Sequence, residues 1–338
     1  MPGQLDGKTW RAALQRLQQR GFWKSMALFF ALIGPGIITS NVDNDAGGIT
    51  TYSLAGAEFG LSLLWILAPT TVALIIIQEM CARMGVVSGK GLSDLIRERF
   101  GARTTFYLMI VLFLTNLGNT ISEFAGVAAS LEIFGLSKYA SVPLGAAFVW
   151  WLVVKGNYKS VEKVFLVACL FYLSYIVSGF MGRPDWPQIG AALALAPLAG
   201  VYCSWLFAFG LLNASLFAAS ILPLSTAYTI CEAFGWESSL NHKFVEAPQF
   251  YGLYSLMIFL GAGIILLPGL PLIPIMYYSQ VINGLLLPFI LIFMLLLIND
   301  RRIMGEYVNR RFMNVITWAT VILLILLSGT IVVTSLIR

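Results

Sequence analysis

Apolar runs long enough to cross a bilayer follow one another along most of this chain, broken by short polar connections in which basic residues predominate. A membrane-crossing helix needs about 20 mainly apolar residues. On that rule the pattern predicts nine spans, near residues 25–60, 61–83, 104–126, 140–154, 161–181, 201–230, 250–268, 272–298 and 312–336. The first is interrupted. The third, fifth and ninth are plain apolar runs, whereas 201–230 carries Asn213, Ser215, Ser220, Pro223, Ser225 and Thr226 and must face protein or water, since polar groups at membrane depth need partners. Ahead of the first span, residues 1–24 are polar and basic, with Trp10, Leu14 and Leu17 on one helical face against Arg11, Arg16 and Arg20. That pattern predicts a cytoplasmic amphipathic segment lying on the membrane surface, followed by a transmembrane domain over 25–338, and it lacks the compact apolar core of a cleavable signal peptide.

The connections orient the chain. Lys8, Arg11, Arg16, Arg20 and Lys24 precede the first span; Arg83, Lys90, Arg97, Arg99 and Arg103 follow the second; Lys155, Lys159 and Lys163 follow the fourth; Arg301, Arg302, Arg310 and Arg311 follow the eighth. All fall on the side of the amino terminus, so the positive-inside rule predicts a cytoplasmic amino terminus and, after nine crossings, an external carboxyl terminus.

Composition agrees: 59% of the 338 residues are hydrophobic, 11% are charged, and the mean hydropathy is +0.84. Such a chain cannot cover its apolar surface with polar side chains, so the predicted class is an all-α polytopic membrane protein with the lipid bilayer as its partner. The net charge of +5 reports topology, and a nucleic-acid partner is not expected. Cys81, Cys169, Cys203 and Cys231 are scattered and suggest neither disulfides nor a thiolate cluster. The single histidine, His242, lies in a polar stretch, and no second buried Asp is in view for a paired-aspartate protease. An enzyme and a resident cofactor are therefore not expected.

The chemistry is concentrated between Gly34 and Gly48, where the chain reads Gly34-Pro35-Gly36-Ile37-Ile38-Thr39-Ser40-Asn41-Val42-Asp43-Asn44-Asp45-Ala46-Gly47-Gly48 inside the first apolar segment. Asn, Asp and paired Gly each disfavour a helix interior, by about 0.5–1 kcal/mol. Unwound backbone at this depth persists only where it lines a cavity or is buried in protein. Asp43 and Asp45 would each cost roughly 3 kcal/mol at the bilayer centre if unpaired. A bound cation offsets that cost, because carboxylate and carbonyl oxygens are the ligands hard divalent ions prefer. The competing reading is a pair of helix caps at a wetted outer surface. Against it, about eight apolar residues precede the break and the run from Ile49 to Gly60 follows it, a depth that suits mid-membrane. Asp43 and Asn44 flank the break closely enough to hold metal-bound water.

These residues resemble the Nramp family of divalent transition-metal transporters. That family opens its first helix with a GPG turn, an Asp-Pro-Gly-Asn metal motif and an AGAxFG ending. Here the corresponding residues are Gly34-Pro35-Gly36, Asp45-Ala46-Gly47-Gly48 and Ala55-Gly56-Ala57-Glu58-Phe59-Gly60. Further matches are Gly89-Lys90-Gly91-Leu92 with Arg97-Glu98-Arg99, Tyr278-Ser279-Gln280-Val281 with Leu287-Pro288-Phe289, and Arg301-Arg302-Ile303-Met304-Gly305-Glu306-Tyr307-Val308-Asn309. The resemblance implies a LeuT-type fold with a broken first helix, in a family pattern of eleven helices. It makes Asp45 the metal-binding aspartate, turns the carbonyl of Val42 toward the ion, and makes Gln280 the glutamine that joins when the site closes.

Two departures are informative. The family's metal-binding asparagine is Gly48 here, and the family's acidic Asp three residues before a Glu in the third helix, which serves proton transfer, is Thr120 before Glu123. Both changes resemble the Nramp-related magnesium transporter branch, because an ion that dehydrates reluctantly suits a roomier site that accepts bound water. The expectation is therefore a plasma-membrane importer of Mg²⁺, also Mn²⁺, working by alternating access without proton coupling. The competing expectations are an ordinary proton-coupled Mn²⁺ or Fe²⁺ transporter and a carrier of organic solutes, the latter disfavoured by two aspartates beside the break. The family's sixth and seventh helices have no counterpart, and the gap falls close to residues 196–203. Either a helix pair is left out of this sequence, the reading preferred here, or the chain is a natural deletion.

Several polar residues are expected to be structural. Glu132 lies at the interface near Lys138, Gln78-Glu79 lies beside Arg83, Asn116 and Asn119 make interhelical hydrogen bonds, Asn213 and Ser215 serve packing, and Trp186, Tyr277 and Tyr278 join aromatic belts. Glu123 stays open between an ion-pathway role and packing.

Overall fold

The computed structural model describes residues 44–60, 62–156, 158–181 and 201–337, and every regular element among them is helical. The amphipathic segment 1–24, Val42, Asp43, Trp186 and most of the interval 196–203 lie outside the described residues. The helices are α1 (Ala46–Phe59), α2 (Leu67–Ser88), α3 (Leu92–Phe100), α4 (Ala102–Glu132), α5 (Lys138–Lys155), α6 (Tyr158–Phe171), α7 (Leu173–Met181), α8 (Val201–Phe234), α9 (Pro248–Ile265), α10 (Leu272–Ile298), α11 (Arg301–Met304) and α12 (Arg311–Ile337). Among the described residues six stretches are long and apolar enough to cross a membrane: Leu64–Ser88, Ala102–Glu132, Ala208–Phe234, Pro248–Ile265, Leu272–Ile298 and Arg311–Thr330.

The expected single span at 161–181 is two helices. At Tyr172 the backbone N–H turns to the carbonyl of Cys169, 3.3 Å away, a tighter i→i−3 bond that ends α6 before α7 begins. Apolar composition alone could not reveal this, because the run stays hydrophobic across the joint.

The 31-residue α4 is the axis of the bundle and packs against α1, α3, α5, α8, α9 and α10. Small residues allow the close crossings. A Cβ on Gly126 of α4 would fall on Ser215 of α8 and on Ala46 of α1, and one on Gly261 of α9 would lie 2.9 Å from the Thr120 methyl of α4. Around these crossings sits the main core, with Phe124, Val142, Val149, Phe250, Tyr254 and Ile258 buried. A second core joins α2, α3, α10 and α12 through Met80, Leu95, Ile96, Leu291 and Val321. The outward faces of α2 and α12 expose Val72, Ile75, Ile322, Leu323 and Leu326, as surfaces in contact with acyl chains do.

The short α3 is anchored by charge. Glu232, at the end of α8, accepts from the Gly91 N–H (2.9 Å) and the Ser93 hydroxyl (2.7 Å), capping α3 from a neighbouring helix. Arg97 donates to the Ala233 carbonyl at 3.0 Å. Glu79 pairs with Arg83 one turn on, at 2.9 Å, as the spacing predicts.

Candidate metal-binding site

Helix α1 starts at Ala46 because Asp45 caps it. The Asp45 backbone is extended (φ −82°, ψ 169°), and its Oδ1 accepts from the Gly48 N–H at 2.6 Å. The first turn of any helix leaves N–H groups without intrahelical acceptors. Here two carboxylates take them: Asp45 meets Gly48, and Glu123 Oε2 on α4 accepts from the Ala46 N–H at 3.2 Å. The second Asp45 oxygen, Oδ2, accepts from Gln280 Nε2 on α10 at 2.7 Å. Glycine at position 47 makes this approach possible, since a Cβ there would overlap the Gln280 amide. Residues Ala46 to Thr50 are all buried. Asp45 is thus a helix cap, as the competing reading held, but one at a buried helix start joined to two other helices.

The structure therefore brings Asp45, Gly48, Gln280 and Glu123 together. Asn44 is attached at the edge, its carbonyl accepting from the Tyr172 hydroxyl at 3.4 Å. Thr120 is buried and turned away: its hydroxyl donates to the Asn116 carbonyl of its own helix at 2.8 Å. Glu123 is fully buried, and its Oε1 has no hydrogen-bond partner among the described residues. Among those residues no group of three or more His, Cys, Asp or Glu side chains could hold a metal. The oxygen donors on offer are the two carboxylates, the Gln280 amide and backbone carbonyls.

The structure also gives partners to most of the polar side chains expected to be structural. Lys138 donates to the carbonyls of Ile265 (3.1 Å) and Leu267 (2.9 Å) and not to Glu132, because the end of α9 presents those carbonyls at its position. Asn119 Oδ1 has no partner among the described residues, where an interhelical bond was expected. Ser215 donates to Leu211 of its own helix at 2.7 Å, and its small side chain at the Gly126 crossing serves packing, as expected. Asn116 and Asn213 do bond between helices, to Thr226 (2.7 Å) and to the Ala168 carbonyl (3.0 Å).

A cavity of about 810 Å³ approaches the site from the Glu132 end of α4, lined by Thr50, Ala129, Glu132, Leu211 and Met276 among others. Thr50, Leu211 and Met276 lie four residues from Ala46, Ser215 and Gln280, and Ala129 three from Gly126. The cavity floor is therefore one helical turn from the Asp45 layer. Across that floor the Thr50 hydroxyl meets Met276 Sδ at 3.5 Å. Sequence reasoning missed Met276, Thr50 and Tyr172. Met276 had a signal, one turn before Gln280 on the same face; Tyr172 had none.

A bundle of long apolar helices around a carboxylate–amide cluster, at the buried start of one helix, defines a multi-pass membrane protein with an internal polar site. Residues 36–193 and 189–334 match the family described as "Natural resistance-associated macrophage protein-like", and the chain belongs to that Nramp family. It is 28% identical over 163 residues to the divalent metal cation transporter MntH of Deinococcus radiodurans, covering 47% of this chain and 37% of that protein. It is 30% identical over 218 residues to the metal transporter Nramp3 of Oryza sativa subsp. japonica, covering 62% and 39%. The chain thus spans half or less of the length of these curated relatives. Its fold is that of the Eremococcus coleocola manganese transporter, solved with an aromatic bis-isothiourea substituted compound: TM-score 0.60 at 18% identity, covering 91% of this chain and 87% of that one.

Proposed function

We propose that this protein carries divalent metal cations across the plasma membrane by alternating access, with its amino terminus cytoplasmic and Asp45 as the ligand that receives the ion. The observation that carries this reading is the 2.7 Å contact between Asp45 and Gln280, which joins the start of α1 to α10 at a half-buried point. In the ion-free arrangement the Gln280 amide N–H occupies Asp45 Oδ2. An arriving cation displaces it, and rotation of the amide presents Oε1 as a second oxygen ligand. The Val42 carbonyl, Asp43 and Asn44 supply further oxygens or hold bound water, and Gly48 leaves room for that water by carrying no side chain. Mg²⁺, and also Mn²⁺, suits such an oxygen-rich, partly hydrated site. The cavity below Glu132 is the route by which the ion reaches it.

Transport proceeds without proton coupling, because Thr120 cannot titrate and its hydroxyl is engaged with its own helix. A proton-coupled Mn²⁺ or Fe²⁺ carrier is the second reading, favoured by one observation: the buried Glu123 carboxyl touches the first N–H of α1. The test is Mg²⁺ and Mn²⁺ uptake into liposomes enclosing a pH-sensitive dye, for the wild type and Asp45→Ala. Uptake at constant internal pH, abolished by the substitution, is expected. Metal-driven acidification selects the second reading, and uptake that survives Asp45→Ala overturns both.

A further inference from the structure

Three span ends meet at one membrane interface. Arg99 ends α3 just before α4, Asp300, Arg301 and Arg302 follow α10, and Asn314 and Trp318 lie in the first turns of α12. They enclose a polar pocket of about 540 Å³ whose wall also includes Leu296. Its one carboxylate is fully engaged: Asp300 Oδ2 pairs with Arg99 Nε at 2.8 Å, and Oδ1 accepts from the Arg302 N–H at 2.9 Å. Asn299 and Asn314 exchange hydrogen bonds at 3.0 and 2.8 Å, which fixes the pocket's base. Among the described residues no carboxylate pairs with the guanidinium of Arg301 or Arg302, and both side chains are exposed.

We propose that this pocket holds the headgroup phosphate of an anionic phospholipid. Arginine forks match phosphate oxygens in pairs. Basic pockets between transmembrane helices on the cytoplasmic side are suited to anionic headgroups, and the basic connections assign this face to the cytoplasm. The choice of a lipid over a free anion rests on the pocket's surroundings. Trp318 (39% exposed) and Leu296 (46% exposed) form its apolar edge, and the exposed Val315, Ile322 and Leu326 continue along α12 into the hydrocarbon zone. A headgroup seated between Arg301 and Arg302 thus has its acyl chains laid on that strip.

The test is native mass spectrometry of the purified full chain, titrated with phosphatidylglycerol or phosphatidylcholine. The wild type is expected to retain one phosphatidylglycerol in preference to phosphatidylcholine. Arg301→Gln with Arg302→Gln should weaken that binding about 30-fold at low salt, about fivefold for each charge. Arg103→Gln with Lys155→Gln removes the same charge from the same face elsewhere and should leave binding within about twofold. Both sets alter exposed side chains, and matched size-exclusion profiles confirm folding. Equal retention of phosphatidylcholine, equal weakening in the control, or displacement by millimolar inorganic phosphate overturns the proposal; the last result makes the pocket a plain anion site.

Discussion

Asp45 performs two tasks that substitution can separate. As a cap it accepts from the Gly48 N–H at 2.6 Å, and as a bridge it accepts from Gln280 Nε2 at 2.7 Å. Asp45→Ala removes both. Loss of an N-cap acceptor costs about 1 kcal/mol, and a net hydrogen bond across helices contributes about 1 kcal/mol. The two share one side chain, so their effects are not independent, and together they contribute about 2 kcal/mol. Asp45→Asn keeps an oxygen for the Gly48 N–H, and Asn caps as well as Asp. Rotating its amide loses at most the Gln280 bond, so stability should fall by no more than about 1 kcal/mol. Divalent binding behaves differently, because the charge is what offsets the ion's dehydration in a low-dielectric site. Calorimetric titration with Mn²⁺ and Mg²⁺ should show both variants at least about 100-fold weaker, about 2.7 kcal/mol. Thermal unfolding in detergent, followed by tryptophan fluorescence, should separate Asn from Ala. An Asp45→Asn protein that binds Mn²⁺ within about threefold of wild type would refute the assignment of the charge.

Gly47→Ala should raise helix stability by up to about 1 kcal/mol on propensity yet cut uptake severalfold, because the new Cβ overlaps the Gln280 amide; unchanged initial uptake rates in liposomes would show that Gln280 is not needed at Asp45. Glu123→Leu leaves the Ala46 N–H buried without an acceptor and should cost about 1–3 kcal/mol, whereas Glu123→Gln keeps an acceptor there, and thermal unfolding of the pair tests whether that contact holds α1. Glu232→Ala strips two bonds from the start of α3, so hydrogen exchange should accelerate across 91–100 at least tenfold, at about 1 kcal/mol or more per lost bond.

The start of α1 was legible only in part. Ala46-Gly47-Gly48 read as the end of an unwound break, whereas they form the first turn of α1, because Asp45 and Glu123 supply acceptors for the N–H groups of Gly48 and Ala46. The partner was not legible from local pattern, since Gln280 lies 235 residues away inside an apolar helix and only the family resemblance pointed to it. The same limit explains the lysine at 138: its partners are backbone carbonyls, which no pattern of side-chain charges displays. The break at Tyr172 was hidden for a different reason. Hydrophobicity reports that a segment belongs in lipid, but a single tightened turn leaves composition untouched.

One electrostatic tension ties the site together. The amino end of a helix carries roughly half a positive charge and by itself repels cations, yet the proposed ion lies at the start of α1. Two carboxyl groups converge on that end, Asp45 on the Gly48 N–H and Glu123 on the Ala46 N–H, and the Asp45 charge offsets the dipole. On this argument Glu123 belongs to the site through its hold on the first N–H of α1 even where it touches no ion. Glu123→Leu, which leaves that N–H without an acceptor, should weaken divalent binding without abolishing it, whereas Asp45→Ala takes away both a charge and a ligand.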